Sequence, residues 1–244
     1  MFTSMTTKHV QKVLQILDHT YPTLPMHEVH GHDAFRMLVA VILSQRARDS
    51  VTVPTAAKLF AIASTPKEFV DMPAEEIEDH IRVIGFYTAK AKAIKKLSQI
   101  LIEKYDGKVP STEAELLSLP MVGRKTANII LTTFFDTPQI AVDIHVHRIT
   151  NRLGWVETRF CHPRSQVADK ATRISGIQSG EMKPDDSALA VIHTEKELTK
   201  IIPKELHSIV NRVFVAHGQT ICLPRNPKCS ICPVEKYCLK IGVA

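Results

Sequence analysis

Aromatic residues are scarce, at 6% of 244 residues with a single Trp. A protein that stacks single-stranded bases on aromatic platforms would carry more of them. No apolar run approaches the roughly 20 residues of a membrane span. Met1 to Gln11 contain no apolar h-region, so no secretory signal is read. The simplest compartment is the cytoplasm, beside the nucleoid if the cell is prokaryotic. Alternation at period two never lasts beyond a few residues, which argues against a sheet protein. Cysteine is also sparse, with five residues, and four of them lie at 222, 229, 232 and 238. In a reducing compartment such a cluster reads as a metal site before it reads as disulfides.

Helical periodicity dominates what is there. Val10, Val13, Leu14 and Leu17 fall at i, i+3, i+4, i+7, and Phe35, Leu38, Val39 and Ile42 repeat the spacing. Thr65-Pro66-Lys67-Glu68 supplies an N-cap, a first-turn proline and a capping-box glutamate. Thr194 with Glu197 offers a second box, and Thr88 can cap a Lys-rich helix from Ala89 to about Tyr105. The expectation is an all-α chain of about ten helices. Residues 156–193 break the pattern and read as a surface insertion, with a helix around Ser165 to Ile174 and loop from Ser175 to Asp186. The net charge of +6 permits nucleic acid as a partner without demanding it.

Two local patterns carry chemistry. The first is Cys222-x6-Cys229-x2-Cys232-x5-Cys238, four soft thiolates suited to tetrahedral zinc or to an iron–sulfur cluster. The spacing is neither a zinc ribbon's nor a ferredoxin's, so it leaves the metal open. Arg225, Lys228 and Lys236 between the ligands make the loop basic. The second pattern is Leu119-Pro120-Met121-Val122-Gly123-Arg124-Lys125. A helix from about Thr112 to Ser118 precedes it and an apolar helix from Lys125 to Phe135 follows. A short turn of this kind aims backbone N–H groups and a helix N-terminus at a phosphate. Gly123 has no side chain to obstruct the approach. Asp143 opens another helix, with His145 and Arg148 behind it, and its plain reading is an N-cap.

Together these blocks resemble the endonuclease III family of helix–hairpin–helix DNA glycosylases, over roughly residues 5–155 and 194–239. The resemblance implies two helical domains with a cleft between them. One is a helical-barrel domain at 26–138 that includes the hairpin; the other joins 1–25 to 139–244. It implies that Cys222, Cys229, Cys232 and Cys238 hold a 4Fe–4S cluster, that Lys125 is the nucleophile and that Asp143 is the catalytic carboxylate. Leu43-Ser44-Gln45-Arg46-Ala47-Arg48-Asp49 is similar to the segment that fills the gap left by a flipped nucleotide. Arg46 stands at the inserting position, where many members have Gln. Ile84-Gly85-Phe86-Tyr87 is similar to the loop that wedges an apolar side chain, here Phe86, into the opposite strand. Ser44, Gln45, Arg46, Phe86, Val122, Gly123, Arg124 and His145 are therefore expected on the DNA. The family hairpin commonly reads LPGVG, so Met121 obliges the turn to adopt a conformation that a side chain tolerates. His147 stands where an aromatic is often found.

The implied activity is that of a monomeric, bifunctional glycosylase and AP lyase on duplex DNA carrying a damaged base or an AP site. Its expected substrates are oxidised pyrimidines of the thymine glycol type. The base must leave the stack before its glycosidic bond can be reached. Burial and the neighbouring Arg124 are expected to favour the uncharged amine of Lys125. An adenine-specific mismatch enzyme of this superfamily would carry a glutamate where Ala40 stands. A T·G or U·G mismatch enzyme typically lacks the lysine. A non-catalytic DNA-binding protein would need neither Lys125 nor Asp143.

Overall fold

The computed structural model describes residues 7–22, 32–156 and 184–243. These residues are helical, and no strand occurs among them. The chain divides into two compact units, Thr23–Gln139 and Met1–Pro22 with Ile140–Ala244.

In the hairpin unit, Ala34–Ser44 (α2) is the buried centre. Phe35 and every residue from Met37 to Leu43 are buried. A helix apolar on all sides has no stable place but inside others. Asp33 starts it by accepting the backbone N–H of Arg36 at 2.8 Å. Asp49–Phe60 (α3), Pro66–Asp71 (α4), Ala74–Ile81 (α5) and Tyr87–Tyr105 (α6) surround it. Leu59, Phe69, Ile77, Ile94 and Leu97 are fully buried against it. The expected capping box is present: Thr65 accepts from the N–H of Glu68, and Glu68 accepts from the N–H of Thr65. The expected cap at Thr88 is not formed. The helix starts two residues earlier, after Phe86 in the left-handed region, and the Thr88 hydroxyl donates to Glu78 at 3.2 Å. Glu113–Leu117 (α7) and Arg124–Phe134 (α8) complete the unit.

In the cysteine unit, Thr7–Thr20 (α1) buries Val10, Val13, Leu14 and Leu17, the predicted stripe. Ile144–Leu153 (α9), Pro184–Ile201 (α10) and His207–Thr220 (α11) provide the rest of the core. Trp155 meets Phe214 edge to face at 5.7 Å. Asp18 on α1 pairs with Arg212 on α11. The helix predicted around 165–174 and the loop over 175–183 lie outside the described residues. The last part of the expected insertion, from 184, is instead the first half of α10. Thr194 is therefore interior to a helix and caps nothing. Its hydroxyl donates back to the Ala190 carbonyl at 2.9 Å and meets His147 Nδ1 at 2.8 Å. The Thr-x-x-Glu pattern misled because the same residues serve mid-helix when the hydroxyl can reach a preceding carbonyl.

Candidate active site and cysteine pocket

The hairpin turn joins α7 to α8. The N–H of Val122 donates to the Leu119 carbonyl at 3.2 Å, and the Val122 side chain is buried. Met121 takes the position of the expected glycine in the left-handed region, at φ 58°. The turn thus keeps its shape at a conformational cost of about 1–2 kcal/mol for a residue with a Cβ. Gln45 steadies it, its side-chain N–H₂ donating to the Met121 carbonyl at 2.9 Å. Gly123 is the N-cap of α8 in extended conformation, and no side chain caps the first turn. No heavy atom lies within 4 Å of where a Cβ would stand at Gly123. Its φ of −98° suits any residue. Among the described residues, therefore, nothing beyond its chain neighbours requires glycine here.

Lys125 is the second residue of α8 and is half-buried. Arg124 lies 3.6 Å from Glu113, so its charge is balanced across the hairpin rather than directed at Lys125 alone. Arg46 and Phe86 both adopt left-handed backbone, at φ 54° and 61°. Phe86 is 62% exposed, and the Arg46 guanidinium lies over its ring, 5.7 Å from the centroid. A core role for Phe86 is thereby excluded. Ser44 donates its hydroxyl to the Val41 carbonyl at 2.9 Å, a bond internal to α2.

In the cysteine unit Asp143 caps α9. Its Oδ1 accepts the N–H groups of His145 and Val146 at 2.8 and 3.0 Å. Two such bonds fix the carboxylate's rotamer at a helix N-terminus, where negative charge is favoured. His145 turns inward. Its Nδ1 meets Arg148 at 3.1 Å, and its ring packs where Gly218 of α11 leaves room. The outward residue of this turn is Ile144, 71% exposed.

The four cysteines line one open pocket, with Ile149, His217 and Val234 among its walls. Among the described residues no three His, Cys, Asp or Glu side chains close on a single metal ion. Four thiols ringing a pocket suit a multi-metal cluster better than one zinc. Donors already face the sulfurs. Arg152 Nη1 donates to Cys222 Sγ at 3.2 Å and the Lys240 N–H to Cys238 Sγ at 3.3 Å. His217 Nε2 lies 3.6 Å from Cys232 Sγ. Burial holds His217 neutral, with its pKa lowered to about 4, and Arg148 adds to the shift. Burial pushes the Cys232 thiol up to about 11 and raises Cys238 as well. Loading metal must therefore displace protons from these thiols. Sequence reasoning missed Arg148 and Arg152, which share one face of α9. Arg152 donates to the Leu223 and Pro224 carbonyls at 2.7 and 2.9 Å, and Arg148 to the Cys222 and Gly218 carbonyls at 3.0 and 3.1 Å. Their i, i+4 spacing was the one available signal.

Residues 39–175 match the HhH-GPD superfamily of base excision DNA repair proteins, and residues 222–238 match the iron–sulfur binding domain of endonuclease III. Endonuclease III of Thermotoga maritima is 41% identical over 206 residues, covering 84% of this chain and 83% of that one. The structure of a non-covalent endonuclease III–DNA complex superposes with a TM-score of 0.76 at 33% identity, covering 96% of each chain. A trapped endonuclease III–DNA covalent intermediate gives 0.75 at 33% identity over 96% of each chain. The chain belongs to the endonuclease III family: it is a helix–hairpin–helix base excision repair enzyme, a DNA glycosylase and AP lyase with a 4Fe–4S domain.

Proposed function

We propose that this enzyme removes oxidised pyrimidines of the thymine glycol type from duplex DNA through Lys125, and then cuts the strand 3′ to the site. The carrying observation is the half-buried Lys125, two residues beyond Gly123 at a hairpin whose following helix begins on a glycine that offers no side-chain cap. A phosphate seated on those N–H groups would register the backbone beside the amine. Arg46 and Phe86, exposed on left-handed turns, are placed to enter the duplex and hold it open while the damaged nucleotide is out.

Lys125 Nζ, in its uncharged form, attacks C1′ of the deoxyribose. The N-glycosidic bond breaks, its electron pair leaves with the base, and the base takes up a proton. Asp143, fixed by its two backbone bonds, stabilises positive charge on the sugar and accepts the proton shed by the attacking amine. The C1′–O4′ bond then opens, the ring oxygen takes back the proton from Asp143, and the protonated imine so formed acidifies C2′. Loss of a C2′ proton expels the 3′ phosphate, which breaks the strand. Cys222, Cys229, Cys232 and Cys238 would hold the cluster, whose binding would supply a structural cross-link to the C-terminal loop. No step of the reaction passes through it.

Borohydride trapping on a duplex carrying thymine glycol tests the reading. The wild type should give a covalent adduct and strand cleavage, and Lys125→Gln neither. An adduct that survives Lys125→Gln would move the nucleophile elsewhere. A wild type that releases thymine glycol no faster than background would remove the substrate class.

A further inference from the structure

The carbonyls that end α2 need partners, because the helix has no further turn to supply them. Two find the same donor. Lys90 Nζ lies 2.8 Å from the Leu43 carbonyl and 2.7 Å from the Gln45 carbonyl. Lys90 is only 1% exposed, and burial pulls its pKa below the usual lysine value. A buried ammonium is costly to keep unless its donors are used, and here two carbonyl oxygens receive them. A helix cap alone would account for Leu43. Gln45 lies past the helix end, one residue before left-handed Arg46.

The same residue grips the other turn. The Lys90 backbone N–H donates to the Phe86 carbonyl at 3.0 Å, closing the first turn of α6 onto left-handed Phe86. One residue therefore ties both turns together by opposite ends. Above it the Arg46 guanidinium stacks on the Phe86 ring at 5.7 Å. Gln45, whose carbonyl Lys90 holds, reaches on to the hairpin at Met121.

We propose that Lys90 is a positioning residue for nucleotide extrusion: its ammonium locks the Arg46 turn to the Phe86 turn, so that both side chains enter the duplex as one rigid unit. The proposal rests on the reading that Arg46 and Phe86 enter DNA.

Two substrates separate its failure from failure of that reading. Thymine glycol in duplex DNA requires extrusion, whereas an AP site in single-stranded DNA does not. Lys90→Met keeps the stem and deletes the donors. In single-turnover reactions it should release thymine glycol about tenfold more slowly. It should cut the single-stranded AP site within about twofold of the wild type. In a Phe86→Ala background, Lys90→Met should add little further loss, because the unit is already broken. Parallel loss on both substrates would overturn the proposal, as would full additivity with Phe86→Ala or no loss on the duplex. Should Lys90→Met fail to fold, Lys90→Leu, which also lacks a donor, carries the same comparison, and Lys90→Gln, which keeps N–H donors on a shorter stem, should lose less on the duplex than either. A wild type inactive on the single-stranded AP site would instead defeat the Lys125 chemistry.

Discussion

Replacing Arg152 by Met should loosen the cysteine loop while leaving the hairpin unit intact. Arg152 is buried at 8% exposure, and its guanidinium makes three hydrogen bonds into the chain 70 to 72 residues away. Pro224 is exposed, so water can replace that partner at little cost. The Leu223 carbonyl and the Cys222 sulfur are half-buried, and each loses a charge-assisted bond of about 1.5 kcal/mol. Met retains the apolar packing of the stem, so the expected loss is about 3 kcal/mol. At about 2–4 °C per kcal/mol for a chain this long, the melting midpoint falls by roughly 6–12 °C. Thermal melting followed by far-UV circular dichroism reads the first effect. The visible absorbance of the cluster, followed during incubation in a chelator, reads the second, and it should decay faster in the variant. Arg152→Lys keeps the charge but lacks the planar fork, so it should recover only part of both. A midpoint within about 2 °C of the wild type, with cluster loss unchanged, would refute the assignment of Arg152 as the clamp of this loop.

Three further outcomes follow from the geometry. Gly123→Ala should leave the midpoint unchanged or slightly raised, because space is open and φ is ordinary, yet weaken binding to duplex DNA about tenfold in a titration at fixed salt. Equal affinity would mean that no phosphate approaches there. Met121→Gly relieves left-handed strain of about 1–2 kcal/mol and costs about 0.4–1 kcal/mol of unfolded-state entropy. Urea unfolding should therefore show a gain of up to about 1.6 kcal/mol, and a loss would show that the Met side chain packs usefully. Glu68 is held below the usual glutamate range, first by the Ser64 N–H and then by Thr65. A lowered folded-state pKa stabilises above the unfolded value near 4.5 and stops doing so as pH falls through the folded value. Glu68→Gln should therefore flatten the acid side of the midpoint-versus-pH curve, and an unchanged acid slope would count against it.

Features encoded by neighbours in the chain were legible before any coordinates. The α1 stripe, the Thr65 box and the Asp143 cap each depend on residues within a few positions, where periodicity and capping chemistry act directly. The cysteine spacing was legible as a metal site for the same reason, though only the family resemblance named the cluster. What stayed hidden depends on distant partners. Lys90 reads as one more lysine on a Lys-rich helix until the Leu43 and Gln45 carbonyls meet it. Arg148 and Arg152 look like solvated charges until residues 218–224 supply carbonyls. Thr88 and Thr194 misled because a hydroxyl near a helix start has several acceptors within reach, and tertiary packing chooses among them. The packing of the His145 ring at Gly218 was hidden for the same reason, because its partner lies on a distant helix.

The missing side chain at position 218 has a reach beyond its own helix. A Cβ there would stand 2.4 Å from His145 Nδ1 and 2.8 Å from an Arg148 nitrogen. Any larger residue would thus have to displace the His145 and Arg148 side chains, and the backbone N–H of His145 is one of the two that hold the carboxylate at 143. The aim of the proposed proton acceptor is thereby inherited from an inert atom pair seventy-five positions downstream. A lesion in activity mapped to Gly218 would be a steering fault rather than a chemical one.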